Sequence, residues 1–189
     1  MRTMLRNAIT SLIALTLLTG IAYPLLVTGI AQLLFPHAAN GSVIMRGDKP
    51  VGSELIGQPF SDPRYFWGRP SATSPFAYNS TASTGSNVGP TNPALVDAIK
   101  SRIEALRAAD PGNTRPVPID LITASGSGLD PHISPAAAAY QAGRVARARG
   151  VPVQDVEKLV AAATESRFLG IMGEPRVNVL QVNLALDKR

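Results

Sequence analysis

Residues 8–35 read AITSLIALTLLTGIAYPLLVTGIAQLLF, 28 consecutive residues without a charged side chain. A helix needs about 20 residues, at about 1.5 Å per residue, to cross the hydrocarbon core of a bilayer. This stretch is therefore long enough to span a membrane with some tilt. We predict a short N-terminus over 1–7, a transmembrane helix over 8–35, a linker over 36–50 and an extramembrane domain over 51–189.

A cleaved signal peptide is the main alternative to a retained anchor. Residues 20–22 and 29–31 both read GIA, and such small residues suit a signal peptidase. The apolar core of a signal peptide is about 7–15 residues long, however, and here apolar sequence continues well beyond the first GIA. The length of the stretch favours a helix that stays in the membrane.

Small or polar residues recur at every fourth position of this segment. They are Thr16, Gly20, Pro24, Thr28 and Gln32. Such a stripe lets membrane helices approach one another closely, although scattered small residues also occur in solitary spans. Because proline lacks an N–H, we also expect a kink over 20–24, with the freed carbonyl satisfied by a neighbouring helix or a hydroxyl group.

The flanking charges do not decide the orientation by number. Arg2 and Arg6 precede the helix, and Arg46 and Lys49 follow it within the roughly 15–20 residues over which positive charges influence orientation. The first pair lies closer to the helix, and large domains cross membranes largely regardless of charge. We therefore expect a cytoplasmic N-terminus and a folded domain on the external side of the membrane.

The composition excludes several classes of function. The absence of cysteine rules out disulfides, thiolate nucleophiles and cysteine-based zinc sites. Once Arg2 and Arg6 are set aside, 16 basic residues remain against 13 acidic ones, a net charge of +3. So weak and scattered a charge gives no footprint for nucleic acid.

The domain reads as α/β, with α+β as an alternative, and contains a small sheet and about three helices. Asn92 and Ser134 are predicted N-caps, and Gly150 is predicted to end the second helix. With the apolar spacing, they predict helices from Pro93 to just before Asp110, over 136–149 and over 153–163. The second helix is expected to face three arginines outward, Arg144, Arg147 and Arg149. We expect extended segments over 51–60, 65–67, 117–124 and 176–186.

Residues 61–92 are rich in Ser, Thr, Asn, Gly and Pro, a composition typical of disorder. Six aromatic residues nevertheless fall between positions 60 and 78. Large rings favour an ordered loop held against a core or a partner. We take Phe66, Trp67 and Arg69 as candidate contacts with a partner.

No catalytic signature is recognisable. Ser125, Gly126, Ser127 and Gly128 form a small-residue loop that could present N–H groups to an anion, although a tight structural turn explains them as well. His132 could act with a nearby Ser or Asp in an envelope hydrolase, but no nucleophile-elbow sequence is present. A periplasmic ligand-binding module that uses the aromatic loop is a further alternative.

Four phrases carry a resemblance to a known family. They are FWGRPS at 66–71, SNVGPTNP at 86–93, TASGSGLDPHISP at 123–135 and GEPRVNV at 173–179. Together with the N-terminal span, they make the whole chain resemble KdpC, the C subunit of bacterial high-affinity potassium-transporting (Kdp) ATPases. The one departure we notice is Val88, where the family pattern has Leu.

The resemblance implies a subunit without catalysis of its own and without a tightly bound cofactor. Its implied partners are the lipid bilayer, a channel-like potassium subunit, a P-type ATP-hydrolysing subunit and a small single-span subunit. It also implies a catalytic chaperone that raises the affinity of the pump subunit for ATP in a ternary complex, with residues 125–128 as the candidate nucleotide contact. With the orientation expected above, the resemblance also implies the bacterial inner membrane and a domain in the periplasm. A periplasmic domain cannot touch cytoplasmic ATP, so either the orientation differs or the effect is indirect.

Overall fold

The computed structural model describes residues 1–188, which divide into two compact units, Met1–Val43 and a second unit that begins at Ile44. The first unit is mainly one apolar helix, Arg2–Leu34. It consists of α1 (Arg2–Leu17), a π-helical turn (Leu18–Ala22) and α2 (Tyr23–Leu34). Among the described residues, this is the one helix long and apolar enough to cross a membrane, and none of its residues is buried.

The helix is irregular at the position that the proline predicts. The π-helical turn ends two residues before Pro24, which cannot donate to the carbonyl of Gly20. The Thr19 hydroxyl donates to the carbonyl of Leu15 at 2.7 Å. The irregular turn therefore lies in the segment predicted to kink. The hydroxyl bond is made to the carbonyl of Leu15, about one turn before the Gly20 carbonyl to which Pro24 cannot donate.

The first unit ends in a short helix, α3 (Pro36–Ala39). Gln32 and Asn40 exchange two amide hydrogen bonds, of 3.1 and 3.3 Å, across this turn. The polar group at the end of the apolar helix is thus paired within the chain, which lowers the cost of placing it near lipid.

The second unit combines helices with small sheets, as the sequence predicts, although its described residues form two sheets where we expected one. Its strands and helices are β1 (Val43–Arg46, which begins at the last residue of the first unit), β2 (Lys49–Ser53), α4 (Pro93–Ala109), β3 (His132–Ile133), α5 (Pro135–Arg149), α6 (Val153–Ala162), β4 (Thr164–Glu165), β5 (Arg176–Asn178) and α7 (Val179–Leu186). Strands β1 and β2 pair with each other. The other sheet has the order β3-β5-β4 and is antiparallel throughout, with Ile133 and Thr164 on either side of Val177.

Helix α5 lies at the centre of the core. The Ser134 hydroxyl caps its first turn by accepting from the N–H of Ala137, and Gly150 ends it in the left-handed conformation. Its alanine-rich face lets α6 pack closely, and Val145 is completely buried beside Val156 of α6 in one cluster. The predicted caps at Asn92 and Ser134 and the predicted third helix are confirmed.

Two predicted strands are wrong in whole or in part. Residues 117–124 contain only a 3-10 turn, Ile119–Leu121, because Pro116 and Pro118 remove backbone donors that a strand needs. Residues 176–186 begin as β5 and continue as α7, since the Asn178 side chain accepts from the N–H of Gln181 and starts a helix.

The two earlier extended segments are only partly formed. Strand β2 covers the beginning of the segment predicted over 51–60, and residues 65–67 contain no strand. The backbone of residues 66 and 67 nevertheless forms hydrogen bonds with side chains rather than with another strand, as described next.

Candidate functional site

Residues 60–78, hereafter the aromatic segment, are held at Phe66 and Trp67 by two side-chain amides. Asn183 of α7 accepts from the N–H of Phe66 at 2.8 Å and donates to its carbonyl at 3.0 Å. Gln141 of α5 accepts from the N–H of Trp67 at 2.8 Å and donates to its carbonyl at 3.1 Å. These four bonds replace the partner strand that the segment lacks, because buried backbone groups require hydrogen bonds.

A buried arginine completes this arrangement. The guanidinium of Arg144 lies over the Trp67 ring, and it donates to the carbonyl of Pro63 at 2.6 Å and to Gln141 Oε1 at 2.7 Å. Burial lowers the pKa of Arg144 to about 10, so the side chain stays cationic at neutral pH. The prediction that Arg144 faces outward is wrong, because the indole face and these acceptors compensate its desolvation.

The aromatic segment is ordered, but its two central rings serve the domain itself. Phe66 is 0% exposed and Trp67 is 8% exposed. Their side chains are enclosed by the same unit, and contact with a partner through them stays a prediction. Arg69, the third candidate, remains partly exposed.

Asp187 joins the end of α7 to the same segment. Its carboxylate accepts from the Tyr65 hydroxyl at 2.9 Å and from Arg149 Nη2 at 2.9 Å. Arg149 also stacks over the Tyr65 ring, with its guanidinium carbon 4.8 Å from the ring centroid. Partial burial alone would raise the pKa of Asp187, but the bonds from Arg149 and Tyr65 outweigh it and lower the pKa below the usual value.

A second polar cluster lies at the end of β3. Arg69 Nη1 is 3.1 Å from one oxygen of Asp130, and His132 Nδ1 is 3.4 Å from the other. His132 Nε2 lies 3.7 Å from Glu165 on β4. Burial alone would raise the pKa of Asp130, but hydrogen bonds from His132 and Arg69 lower that pKa overall.

This cluster borders an open concavity of about 390 Å³. The hydroxyl of Ser134, the serine nearest to His132 along the chain, bonds to Asp120 and caps α5. Within residues 1–188, no hydroxyl group hydrogen-bonds to a ring nitrogen of His132. The geometry therefore gives no support to a serine hydrolase at this position.

The small-residue loop at 125–128 folds onto the loop at 71–85. The Ser125 hydroxyl accepts from the N–H of Gly128, and the carbonyl of Ser127 accepts from the N–H of Thr84. Gly128 has φ +68°, and an added Cβ would lie 2.7 Å from the carbonyl oxygen of Thr84. Glycine is thus required there for close packing, and nucleotide contact at residues 125–128 stays a prediction.

The stripe on the N-terminal helix has no covering element within the described chain. All five of its residues are exposed. An added Cβ at Gly20 would meet only the Thr16 methyl group, at 3.9 Å. Space for a second helix therefore exists along this face, and its role as an interface stays a prediction.

Sequence reasoning missed the polar residues that organise the aromatic segment. They are Gln141, Arg144, Asn183 and Asp187. One available signal is an amide within an apolar run, as at Asn183 in VLQVNLAL, since such a group must find a buried partner.

Comparisons with known proteins agree over nearly the whole chain. The family model described as K+-transporting ATPase, c chain (KdpC) matches residues 5–188. A protein of Polaromonas naphthalenivorans is 66% identical over 187 residues, which cover 99% of this chain and 95% of the relative. A protein of Methylococcus capsulatus is 69% identical over 182 residues, which cover 96% of both chains. Both relatives bear the name Potassium-transporting ATPase KdpC subunit.

Proposed function

The chain belongs to the KdpC family of K+-transporting ATPase c chains, and from that premise we propose that it is a non-catalytic subunit of an ATP-driven potassium-uptake complex. Its companions in this proposal are a channel-like potassium subunit, a P-type ATP-hydrolysing subunit and a small single-span subunit. The relatives' shared name, a subunit of a potassium-transporting ATPase, supports membership of a complex.

The observation that carries the proposal is the uncovered helix Arg2–Leu34. It is charge-free over 8–35, none of its residues is buried, and it bears the stripe of small and polar groups. A bilayer can cover the apolar surface, and a companion helix can pack against the small residues. We propose that this helix anchors the chain in the bacterial inner membrane and docks it onto a companion subunit.

We further propose that the N-terminus is cytoplasmic and that the folded domain lies in the periplasm. Arg2 and Arg6 lie directly before the apolar stretch, and this proximity supports that orientation. In this position the domain braces the extracytoplasmic side of the channel-like subunit.

We propose that the chain acts as a catalytic chaperone without touching ATP itself. We propose that the chain raises the ATP affinity of the pump subunit as a coupling free energy through the assembled complex. Direct contact through residues 125–128 has less support, because the Gly128 and Leu129 N–H groups already donate to the hydroxyls of Ser125 and Ser127. A ligand-binding module built on the aromatic loop is likewise disfavoured by the burial of Phe66 and Trp67.

Co-purification from membranes tests the proposal. A tagged full-length chain, extracted in mild detergent, should retain two larger membrane proteins and potassium-stimulated ATPase activity. The same chain stripped of its companions should hydrolyse no ATP. A stable chain that elutes alone from gently solubilised membranes, with the activity in other fractions, would contradict membership of the complex.

A further inference from the structure

The hairpin between β4 and β5 ends in an exposed apolar tip. Residues 168–172, with the sequence FLGIM, form this tip, hereafter the 168–172 tip. Its large side chains are mostly accessible to solvent: Phe168 68%, Leu169 76%, Ile171 78% and Met172 58%. Clustered apolar residues on a surface mark interaction sites, whereas single ones need no explanation.

Hydrogen bonds within the backbone of the 168–172 tip hold it as a closed turn. The N–H of Phe168 donates to the carbonyl of Met172 at 2.8 Å, and the N–H of Met172 donates back at 3.0 Å. The N–H of Gly170 donates to the carbonyl of Arg167 at 3.0 Å. The apolar side chains are therefore presented on an ordered loop, which reduces the entropy lost on binding.

Leu169 is in the left-handed region, with φ +52°. Glycine and asparagine adopt this conformation much more readily than a bulky apolar residue. Because the Leu169 side chain is also exposed, it gains little from burial within the chain. Neither the local backbone nor the packing of the domain accounts for a leucine at this position.

Two ion pairs surround the base of the tip. Arg167 Nη2 lies 2.7 Å from Glu174 Oε2, and Arg176 Nη2 lies 2.7 Å from Glu165 Oε2. These four charges cancel. A loop that binds an anionic bilayer surface usually carries an excess of Lys and Arg, whereas an apolar centre with a balanced polar rim is typical of protein–protein contacts.

We propose that the 168–172 tip inserts into an apolar cleft of a companion protein subunit, with the two ion pairs at the rim of the contact. This inference rests on the proposed function, because the companion subunits come from it. It adds to the helix contact a second docking point, on the folded domain.

Substitutions at the tip separate assembly from folding. Leu169→Asn suits the left-handed backbone, so the unfolding midpoint of the full-length chain should stay the same or rise. The affinity for the companions should fall about tenfold, because a large apolar contact is lost. Ile171→Ser should act in the same direction. The matched control is Ile119→Ser, since Ile119 is 67% exposed outside the tip.

The overturning result is equally direct. If Leu169→Asn and Ile171→Ser retain the companions as well as wild type and Ile119→Ser do, the inference is wrong while the proposed function stands. If the wild-type chain itself retains no companion, the proposed function fails and the inference fails with it.

The identity of the contacted surface needs a second measurement. Leu169→Cys provides a single cysteine, because the chain has none, and a benzophenone maleimide attached there can be activated in the assembled complex. An adduct with a companion protein supports the inference. Adducts only with lipid, or only with a second copy of this chain, overturn it, and so does the absence of any protein adduct.

Discussion

The guanidinium carbon of Arg144 lies 4.6 Å from the centroid of the Trp67 ring, and both side chains are buried. This contact joins α5 to a segment that contains no strand or helix of its own. Through it and the amide bonds from Gln141 and Asn183, a stretch composed like a linker becomes part of the core.

Arg144→Lys tests this contact. A lysine cannot stack flat on the indole and reach both the Pro63 carbonyl and Gln141. We expect the free energy of unfolding to fall by about 1–3 kcal/mol, as for a lost buried charge-assisted hydrogen bond. Trp67 is the only tryptophan, so its fluorescence reports the transition directly. The control is Arg107→Lys at an exposed position of α4, and equal stability of the two variants would contradict this account.

Asn183→Leu tests the amide pairing. The change keeps the volume similar but leaves the buried N–H and carbonyl of Phe66 without their partner. We expect a loss of about 2–4 kcal/mol in the free energy of unfolding, measured in denaturant on the full-length chain in detergent. Gln154→Leu, at an exposed position of α6, should change stability little. If Asn183→Leu and Gln154→Leu unfold at the same denaturant concentration, the hydrogen bonds from Asn183 do not hold the aromatic segment.

The lowered pKa of Asp187 predicts that the stability of the folded state decreases in acid. A carboxylate whose pKa is lower in the folded state stabilises the fold above its unfolded pKa of about 3.9. This stability is lost as the pH falls through the folded pKa. Between pH 5 and pH 3, the unfolding midpoint of wild type should therefore fall more steeply than that of Asp187→Asn. Salt should reduce the difference, because this group is partly exposed.

The control for that titration is Asp97→Asn, at an exposed position of α4. Asp97 has no ion pair within residues 1–188, so its removal should leave the wild-type acid profile intact. Identical profiles for Asp187→Asn and wild type would show that the bonds from Arg149 and Tyr65 do not stabilise the folded state.

Gly20→Leu tests the stripe on the membrane helix. The larger side chain has room within this chain but would separate a closely packed neighbour. We expect normal insertion into the membrane and at least a fewfold loss of companion subunits on purification. Ala14→Leu makes a comparable change on a different face of the same helix and should assemble normally. Equal assembly of both variants would remove the stripe from the interface.

The sequence predicts best those elements that are specified by local signals. Asn92, Ser134 and Gly150 mark helix ends through interactions within a few residues, and all three are found in their predicted roles. The apolar run after Arg176 is ambiguous, since short apolar runs suit a strand or a helix equally well. There the Asn178 cap decides for a helix.

The arrangement around Trp67 could not be predicted, because it depends on partners far apart in the chain. Gln141 and Asn183 reach this segment from two different helices. The outward position expected for Arg144 followed from helix-end electrostatics alone. Only the folded structure shows that an indole ring and a carbonyl compensate its burial.

Chemical labelling of cysteines in intact cells tests the central claim, that the folded domain works outside the cytoplasm and influences ATP only through its companions. Thr3→Cys and Lys188→Cys each place one exposed thiol in a chain without cysteine. A membrane-impermeant maleimide should label Lys188→Cys in intact cells with a permeable outer membrane, and Thr3→Cys only after lysis. The reverse pattern would contradict the account and place the domain on the side where ATP is bound.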